Sequence, residues 1–545
     1  MILGRFLRTV RHLKAQQLVG RVLYNLRRPT PDLRPPPPRR RLTGKWVLPA
    51  RRTASLEGEC TLTFLNQTLS LTQTGWDDAS IDRLWRYNAH YFDDLNARDG
   101  AGRIDAQRAL VERWIAGNPP AGGTGWEPYP TSLRIVNWIK WFIGGESPPP
   151  PWEHSLAAQA RWLCMRMEFH LLGNHLFANA KALVFAGLYF DGDEAESWLT
   201  EGIRILTHEL PEQILPDGGQ FELSPMYHAL ALEDVLDLIN VTRYAGTAVC
   251  TRAGLDDLAK ELRSRAADML FWFRCLSHAD GSIGLFNDSA EGVAPESGEL
   301  ERYAADLAVF APYPQPEGVT FLAESGYVRV TRGAALALLD IGRVGPDYLP
   351  AHAHADTLSF ELSVAGLRML VNGGTSCYGL SARRALERGT AAHNTVEVEG
   401  QNSSEVWGGF RVGRRARPVS VKVDGWRVEG VHDGYRYLPG APMHRRVWEF
   451  RERGLCVSDT VKPAVSAVAR YHLAPGLEYL RRSDTSWDVV GRRGQIASVS
   501  IVRGTAKVVG ATHSPRFGVV LDVQCLEVLL QEGGAETHWS WNDAA

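Results

Sequence analysis

The sequence predicts a multidomain α+β chain in which a helical region precedes an antiparallel β-sandwich. Three observations carry this expectation. From about residue 78 to 310, apolar residues recur at helical spacing in segments separated by Gly, Pro and Asp breaks. Near 318 the pattern changes to β-branched and aromatic residues alternating with polar ones, with turn residues roughly every 8–12 positions. A length of 545 residues is too great for one ordinary domain. The predicted divisions are 1–52 (a basic helix and linker), 53–315 (helical) and 316–545 (sandwich).

Residues 4–28 place Leu7, Val10, Leu13, Leu18, Val22 and Leu26 at helical spacing among basic residues, predicting a basic amphipathic helix. The tract 29–41 holds four consecutive prolines and then three arginines, so an extended linker is expected. Residues 55–75 read as short strands. Helices are predicted over 105–117, 131–144, 154–171, 176–190, 194–209, 228–244 and 255–277, a rhythm that suggests helical hairpins in a toroid or an α-solenoid. Strands are predicted at 319–331, 334–340, 357–363, 367–372, 394–399, 417–423, 427–431, 446–451 and 454–461.

Composition narrows the class. With 44% hydrophobic and 22% charged residues, the chain has material for real cores. No run of about 18 apolar residues exists to cross a membrane as a helix. The basic N-terminus interrupts every apolar run, so no secretory signal is read and a cytoplasmic location is expected. Seven scattered cysteines show no paired or metal-ligand spacing and are expected to be free thiols. Residues 1–52 hold 14 Lys and Arg against Asp32 alone, a net +13, so an overall charge of −2 leaves −15 on the remainder. Such a leader suits nucleic acid, acidic lipid or an anionic polysaccharide, but the favoured expectation is an arm packed on the acidic body or solvated. No nucleic-acid partner is expected. Seventeen Trp, among them Trp85, Trp126, Trp138 and Trp407, offer ring faces to sugars, although the favoured reading of any one of them is a core or interface residue.

Three short stretches concentrate chemistry. Gly-Asn-His at 173–175 opens an apolar helix, which sets the Asn174 amide and His175 imidazole at its positive end, suited to an anion. By itself the pair also reads as an N-cap and a buried histidine. Ser-Pro-Met-Tyr-His at 224–228 places Tyr227 and His228 at the start of another helix, where neighbouring positive charge would lower the pKa of the phenol. Ala-His-Ala-His-Ala-Asp at 351–356 precedes a strand, and His-X-His on extended chain would direct both imidazoles to one side. That arrangement opens a metal site or supplies a general base. His393-Asn394 adds a further polar pair. An amide, a phenol and imidazoles are the groups needed to remove a proton from carbon next to a carboxylate, which points to a polysaccharide lyase.

The chain resembles the heparinase II/III-like superfamily of polysaccharide lyases. The resemblance rests on Asn-His-Leu-x-x-Asn-Ala-Lys-Ala-Leu at 174–183, Ser-Pro-Met-Tyr-His at 224–228, His-Ala-His-Ala-Asp at 352–356 and Ala-His-Asn-Thr at 392–395, over roughly 80–460. It implies an incomplete α/α toroid followed by an antiparallel β-sandwich, and β-elimination of an anionic, uronate-containing polysaccharide. It further implies that Asn174, and His175 beside it, bind the uronate carboxylate. Tyr227 would protonate the leaving oxygen or act as base, with His352 as its partner. His354 and His393 resemble the family's metal ligands, and Asn372 stands where relatives commonly carry an Asp. One structural divalent metal is therefore expected, zinc first, with manganese or calcium as alternatives.

Substrate contacts are expected from Tyr87, Asn88, His90, Trp126, Arg134, His228, Arg388 and Trp407, polar or aromatic positions on a prospective cleft wall. A hydrolase is disfavoured, because glycoside hydrolysis usually needs two paired carboxylates and this cluster is rich in His, Tyr and Asn. The remaining alternative is a cytoplasmic or membrane-surface accessory protein of exopolysaccharide biosynthesis that binds the polymer without cleaving it.

Overall fold

The computed structural model describes residues 2–314, 316–492 and 494–542. A helical N-terminal part is followed by a sheet-rich C-terminal part. The last helix of the first part, Ser297–Asp306, ends shortly before the first strand of the second, Gly318–Leu322.

The expected single N-terminal helix is two, Ile2–Val10 and Ala15–Leu26. Lys14 is extended and caps the second, and the Gln17 side chain accepts from its backbone N–H at 3.0 Å. The stretch after it is not a free tether. Arg40 is buried and donates to the Phe190 carbonyl at 3.0 Å, and Arg161 donates to the carbonyls of Arg34 and Pro35. A three-stranded meander, Leu56–Glu57, Thr61–Phe64 and Gln67–Ser70, then leads into the helices.

Among the helices, Gly173–Tyr189 and Asp193–Gln213 form the tightest hairpin. Gly187 makes it possible, since a Cβ there would lie 2.7 Å from the Leu199 Cβ. The predicted 154–171 helix stops at Met165, because the chain must turn through residues 166–172 and reach Leu172 at φ 64°. Trp85, Trp126 and Trp138 are core residues here, not sugar platforms. A buried ion cluster ties these helices together. Lys140 and Lys181 donate to Asp237 at 3.0 and 2.7 Å, and the Tyr303 hydroxyl donates to it at 2.9 Å.

The sheet-rich part holds antiparallel sheets of five, eight and four strands. The predicted 319–331 strand is a hairpin of Gly318–Leu322 with Tyr327–Arg332. In the eight-stranded sheet, Gly534–Trp541 inserts between Gly454–Lys462 and Gly494–Arg503, so the end of the described chain closes the sheet at its centre. Phe360, Trp448, Tyr471 and Trp539, drawn from all three sheets, share one buried cluster. The two parts meet where Trp272 packs on Tyr327 and where His278 bonds Glu361 at 2.9 Å. Ligand sites favour such seams.

Candidate active site

Four chain segments converge at this seam. The helix Gly173–Tyr189 starts with Gly173 at φ 57°, where a Cβ would collide with Leu349 at 2.3 Å; only glycine lets the 347–356 loop lie against this helix end. Asn174 and His175 follow in its first turn, half-buried. The helix Pro225–Ala245 is capped by Ser224, whose hydroxyl accepts from the Tyr227 N–H at 3.2 Å and so fixes where the phenol emerges. Asn174 and Tyr227 line one pocket together with Tyr129, Gln213, Gln220 and Asp234.

The ring of Tyr227 stacks on that of His352, with centroids 3.8 Å apart, and its hydroxyl shares a 2.9 Å hydrogen bond with Tyr378. His352 donates from Nδ1 to Asp288 at 3.0 Å, leaving Nε2 directed toward Glu222 at 3.7 Å. Asp288 is the hub. Its other oxygen accepts from His354 Nε2 at 2.8 Å, and Arg384 forms a bidentate pair with both oxygens. His352 and His354 lie in a turn, not on a strand, which begins only at Phe360. They serve one side because they share a carboxylate, not because of strand alternation.

Electrostatics sharpen the roles. Burial disfavours an ionised Asp288, but Arg384, His352 and His354 outweigh it and hold the carboxyl well below its ordinary range. Burial, then Tyr378 and Asp288, push the Tyr227 phenol well above its ordinary value. The expected lowering by positive charge does not occur: burial dominates, and the groups around the phenol are Tyr378, Asp288 and Tyr129, not cations. Burial also pushes Glu222 up, although His352 pulls it down, and its Oε2 has no hydrogen-bond partner. Burial opposes the charged form of His175, yet Glu168, bonded at 3.1 Å, raises its pKa overall. His175 also stacks on Tyr129 at 4.4 Å.

Several expected contact residues lie elsewhere. His90 is buried, accepts from the Trp114 indole at 3.0 Å, and burial pushes it down to about 3. Arg134 is fully buried, its donors taken by Gln159, the His90 carbonyl and Thr131. Trp126 bonds the Asn118 carbonyl inside the core. His228 bonds the Met269 carbonyl and stacks on Trp272 at 4.2 Å. Arg388 is buried and donates to the carbonyls of Ala353 and Gly409, pinning the His352–His354 turn from below. None of these can reach a polymer, because burial has consumed both their surface and their donors. Trp407 is held by Thr9 and Arg411 beneath the first helix. Asn88 bonds its own helix at the Leu84 carbonyl, and Tyr87 bonds Glu127 and Arg83.

Sequence reading missed Asp288, Glu222, Tyr378 and Arg384. Asp288 sits in Phe-Asn-Asp-Ser at 286–289, which reads as an ordinary turn. Glu222 lies inside the polar 217–228 segment, where nothing in the sequence separates it from its polar neighbours.

The metal expectation was His354, Asn372 and His393. Nδ1 of His354 and Nε2 of His393 are 3.3 Å apart. Two nitrogens about 2.0–2.1 Å from a tetrahedral zinc would be separated by about 3.4 Å. Asp288 holds the other nitrogen of His354, as outer-sphere carboxylates do for metal-bound histidines. Burial pushes both imidazoles down to about 4, so both are neutral near pH 7. Asn372 is buried, its side-chain oxygen accepting from the N–H of Asn394, the residue after His393, at 3.3 Å.

A helical part, a sheet-rich part and a Tyr–His–Asp cluster at their seam define the class of protein. The heparinase II/III N-terminus model matches residues 146–307, and the heparinase II/III-like C-terminal model matches 314–534. The chain belongs to the heparinase II/III-like family. It is 25% identical over 248 residues to a heparin-sulfate lyase of Bacteroides stercoris, covering 42% of this chain and 36% of that one. The match thus spans about a third of that relative's length. It is also 26% identical over 423 residues to FtsZ-localized protein C of Caulobacter vibrioides, covering 74% and 69%. Among solved structures, heparinase III shares the fold at a TM-score of 0.63 and 19% identity, covering 82% of this chain and 75% of that one.

Proposed function

We propose that this protein is a polysaccharide lyase that cleaves a uronic-acid-containing polysaccharide by β-elimination. The observation that carries the reading is Tyr227 stacked on a His352 that Asp288 orients, with Tyr227 and Asn174 lining one pocket. With Nδ1–H committed to Asp288, His352 presents the lone pair of Nε2 and takes the C5 proton. The Tyr227 phenol, protonated at neutral pH, gives its proton to the C4 oxygen as the C4–O bond breaks and the C4–C5 double bond forms. Asn174 donates to the uronate carboxylate, draining charge from the enolate-like intermediate. His175, whose pKa Glu168 raises overall against the opposing effect of burial, stands at the same helix end. The name of the Bacteroides relative makes heparan-type chains the first substrates to try, then hyaluronan, chondroitin sulfates and alginate.

His354 and His393 would hold a divalent cation, zinc first, with Asn372 as a weak third donor. Bound there, it would brace the turn that carries His352.

The test is ultraviolet detection of an unsaturated uronate after incubation with each polymer, with Tyr227→Phe alongside. Product from the wild type that falls at least about 100-fold in Tyr227→Phe supports the reading. Hydrolysed product lacking the double bond, or undiminished activity in Tyr227→Phe, overturns it.

A further inference from the structure

We infer that the two N-terminal helices form a docking surface for an anionic phospholipid membrane. Their inner faces are engaged by the rest of the chain, with Tyr24 set against Arg166 and His170. Arg8 pairs with Glu405, Lys14 with Glu212, and the Gln17 amide donates to the Tyr348 carbonyl at 3.3 Å. Gly20 lies against the Phe169 backbone, where a Cβ would come within 3.1 Å. The apolar residues therefore point outward. Leu3, Phe6 and Leu7 are 71%, 46% and 56% exposed on the first helix, and Leu18, Val22 and Leu26 are 51%, 58% and 73% exposed on the second. Of 26 large exposed hydrophobics among the described residues, eight fall between residues 3 and 26, whereas the rest are scattered. A concentrated patch of this kind marks an interaction surface, not chance exposure.

Charge selects the occupant. The first 31 residues contain no Asp or Glu, and Arg21, Arg27 and Arg28 are exposed with no carboxylate at ion-pair distance among the described residues. An aliphatic stripe flanked by unpaired arginines fits an interface of acyl chains under anionic headgroups. A second copy would oppose like charges across a two-fold axis, and nucleic acid would leave the leucines and valines unused. The Gln17–Tyr348 contact lies four residues before His352, so docking would hold the catalytic cleft near the bilayer surface.

The experiment is co-sedimentation of the full chain with vesicles of phosphatidylcholine alone and of phosphatidylcholine mixed with phosphatidylglycerol. Two triple variants accompany it, Leu18→Ser/Val22→Ser/Leu26→Ser and Arg21→Gln/Arg27→Gln/Arg28→Gln. The expected result is binding to the anionic vesicles only, weakened by salt and reduced at least about tenfold in either variant. Melting temperatures within a few degrees of wild type would show that the exposed substitutions leave the fold intact. Absence of wild-type binding to anionic vesicles overturns the proposal, as does equal binding by all three proteins. Sedimentation velocity decides the rival occupant: a wild-type dimer that the serine variant dissociates would assign the patch to a second copy.

Discussion

Two buried carboxylates, Asp237 and Asp288, look alike in isolation and differ in what surrounds them. Asp237 is 1% exposed and held by Lys140, Lys181 and Tyr303, all donors from neighbouring helices. Asp288 is fully buried and held by Arg384, His354 and His352. Around Asp237 every partner spends its charge within the cluster. Around Asp288 one partner, His352, keeps a second nitrogen outside the network, directed toward Glu222, with the ring of the pocket-lining Tyr227 against its face. A buried charge network can become a reactive site when one member retains an unused function next to a group that lines a pocket.

The comparison can be broken first at the cleft. Tyr227→Phe is expected to lower lyase turnover by about 10²–10⁴-fold. It should cost only about 1 kcal/mol of stability, because the lost bond to Tyr378 is a single hydroxyl contact. Turnover and chemical denaturation of the same preparation check both. Asp237→Ala and Asp288→Ala should each cost about 3–5 kcal/mol, since each leaves buried cations without a counter-ion. Turnover per folded molecule then separates them: unchanged in Asp237→Ala, and abolished in Asp288→Ala because His352 loses its orientation.

Acid sharpens the contrast in stability. Burial opposes ionisation of Asp237, but Lys140 and Lys181 prevail and hold its pKa at about 2 in the folded chain, below an unfolded value of about 3.9. Its contribution is therefore present above the unfolded value and lost as pH falls through the folded one. The stability gap between wild type and Asp237→Asn should narrow between pH 7 and pH 2, by about 2–3 kcal/mol, as followed by urea titration. The smallest effect concerns the proposed cation. Added zinc at 100 times its dissociation constant should stabilise the wild type by about 2.7 kcal/mol or less, read as a rise in melting temperature. His393→Ala should abolish that rise.

The order of helices and then strands was legible because periodicity of 3.6 and of 2 survives in a chain that buries one face of each element. Residues 351–356 and 224–228 were legible as chemistry because polar clusters there interrupt those patterns. The misplacements share one cause. His90 and Arg134 are spent on distant side chains (Trp114, Gln159) and His228 and Arg388 on distant backbone carbonyls, and a sequence does not display which of these groups will be near. Asp288 was missed for the converse reason: its four-way bonding joins residues 64 to 96 positions away.

By itself the sequence determined the two-part architecture, the strongly basic leader, and the presence of Asn174 and Tyr227 at helix starts and of His352 in the turn-rich stretch before a strand. Tertiary structure alone decided that His352 stacks on Tyr227, that Asp288 selects its tautomer, that Glu222 is buried with one oxygen unbonded, and that the leader turns its leucines outward. The reason is physical. Local pattern reports how a segment divides apolar from polar surface, whereas proton affinity and exposure depend on which distant groups share the same few ångströms of low-dielectric interior.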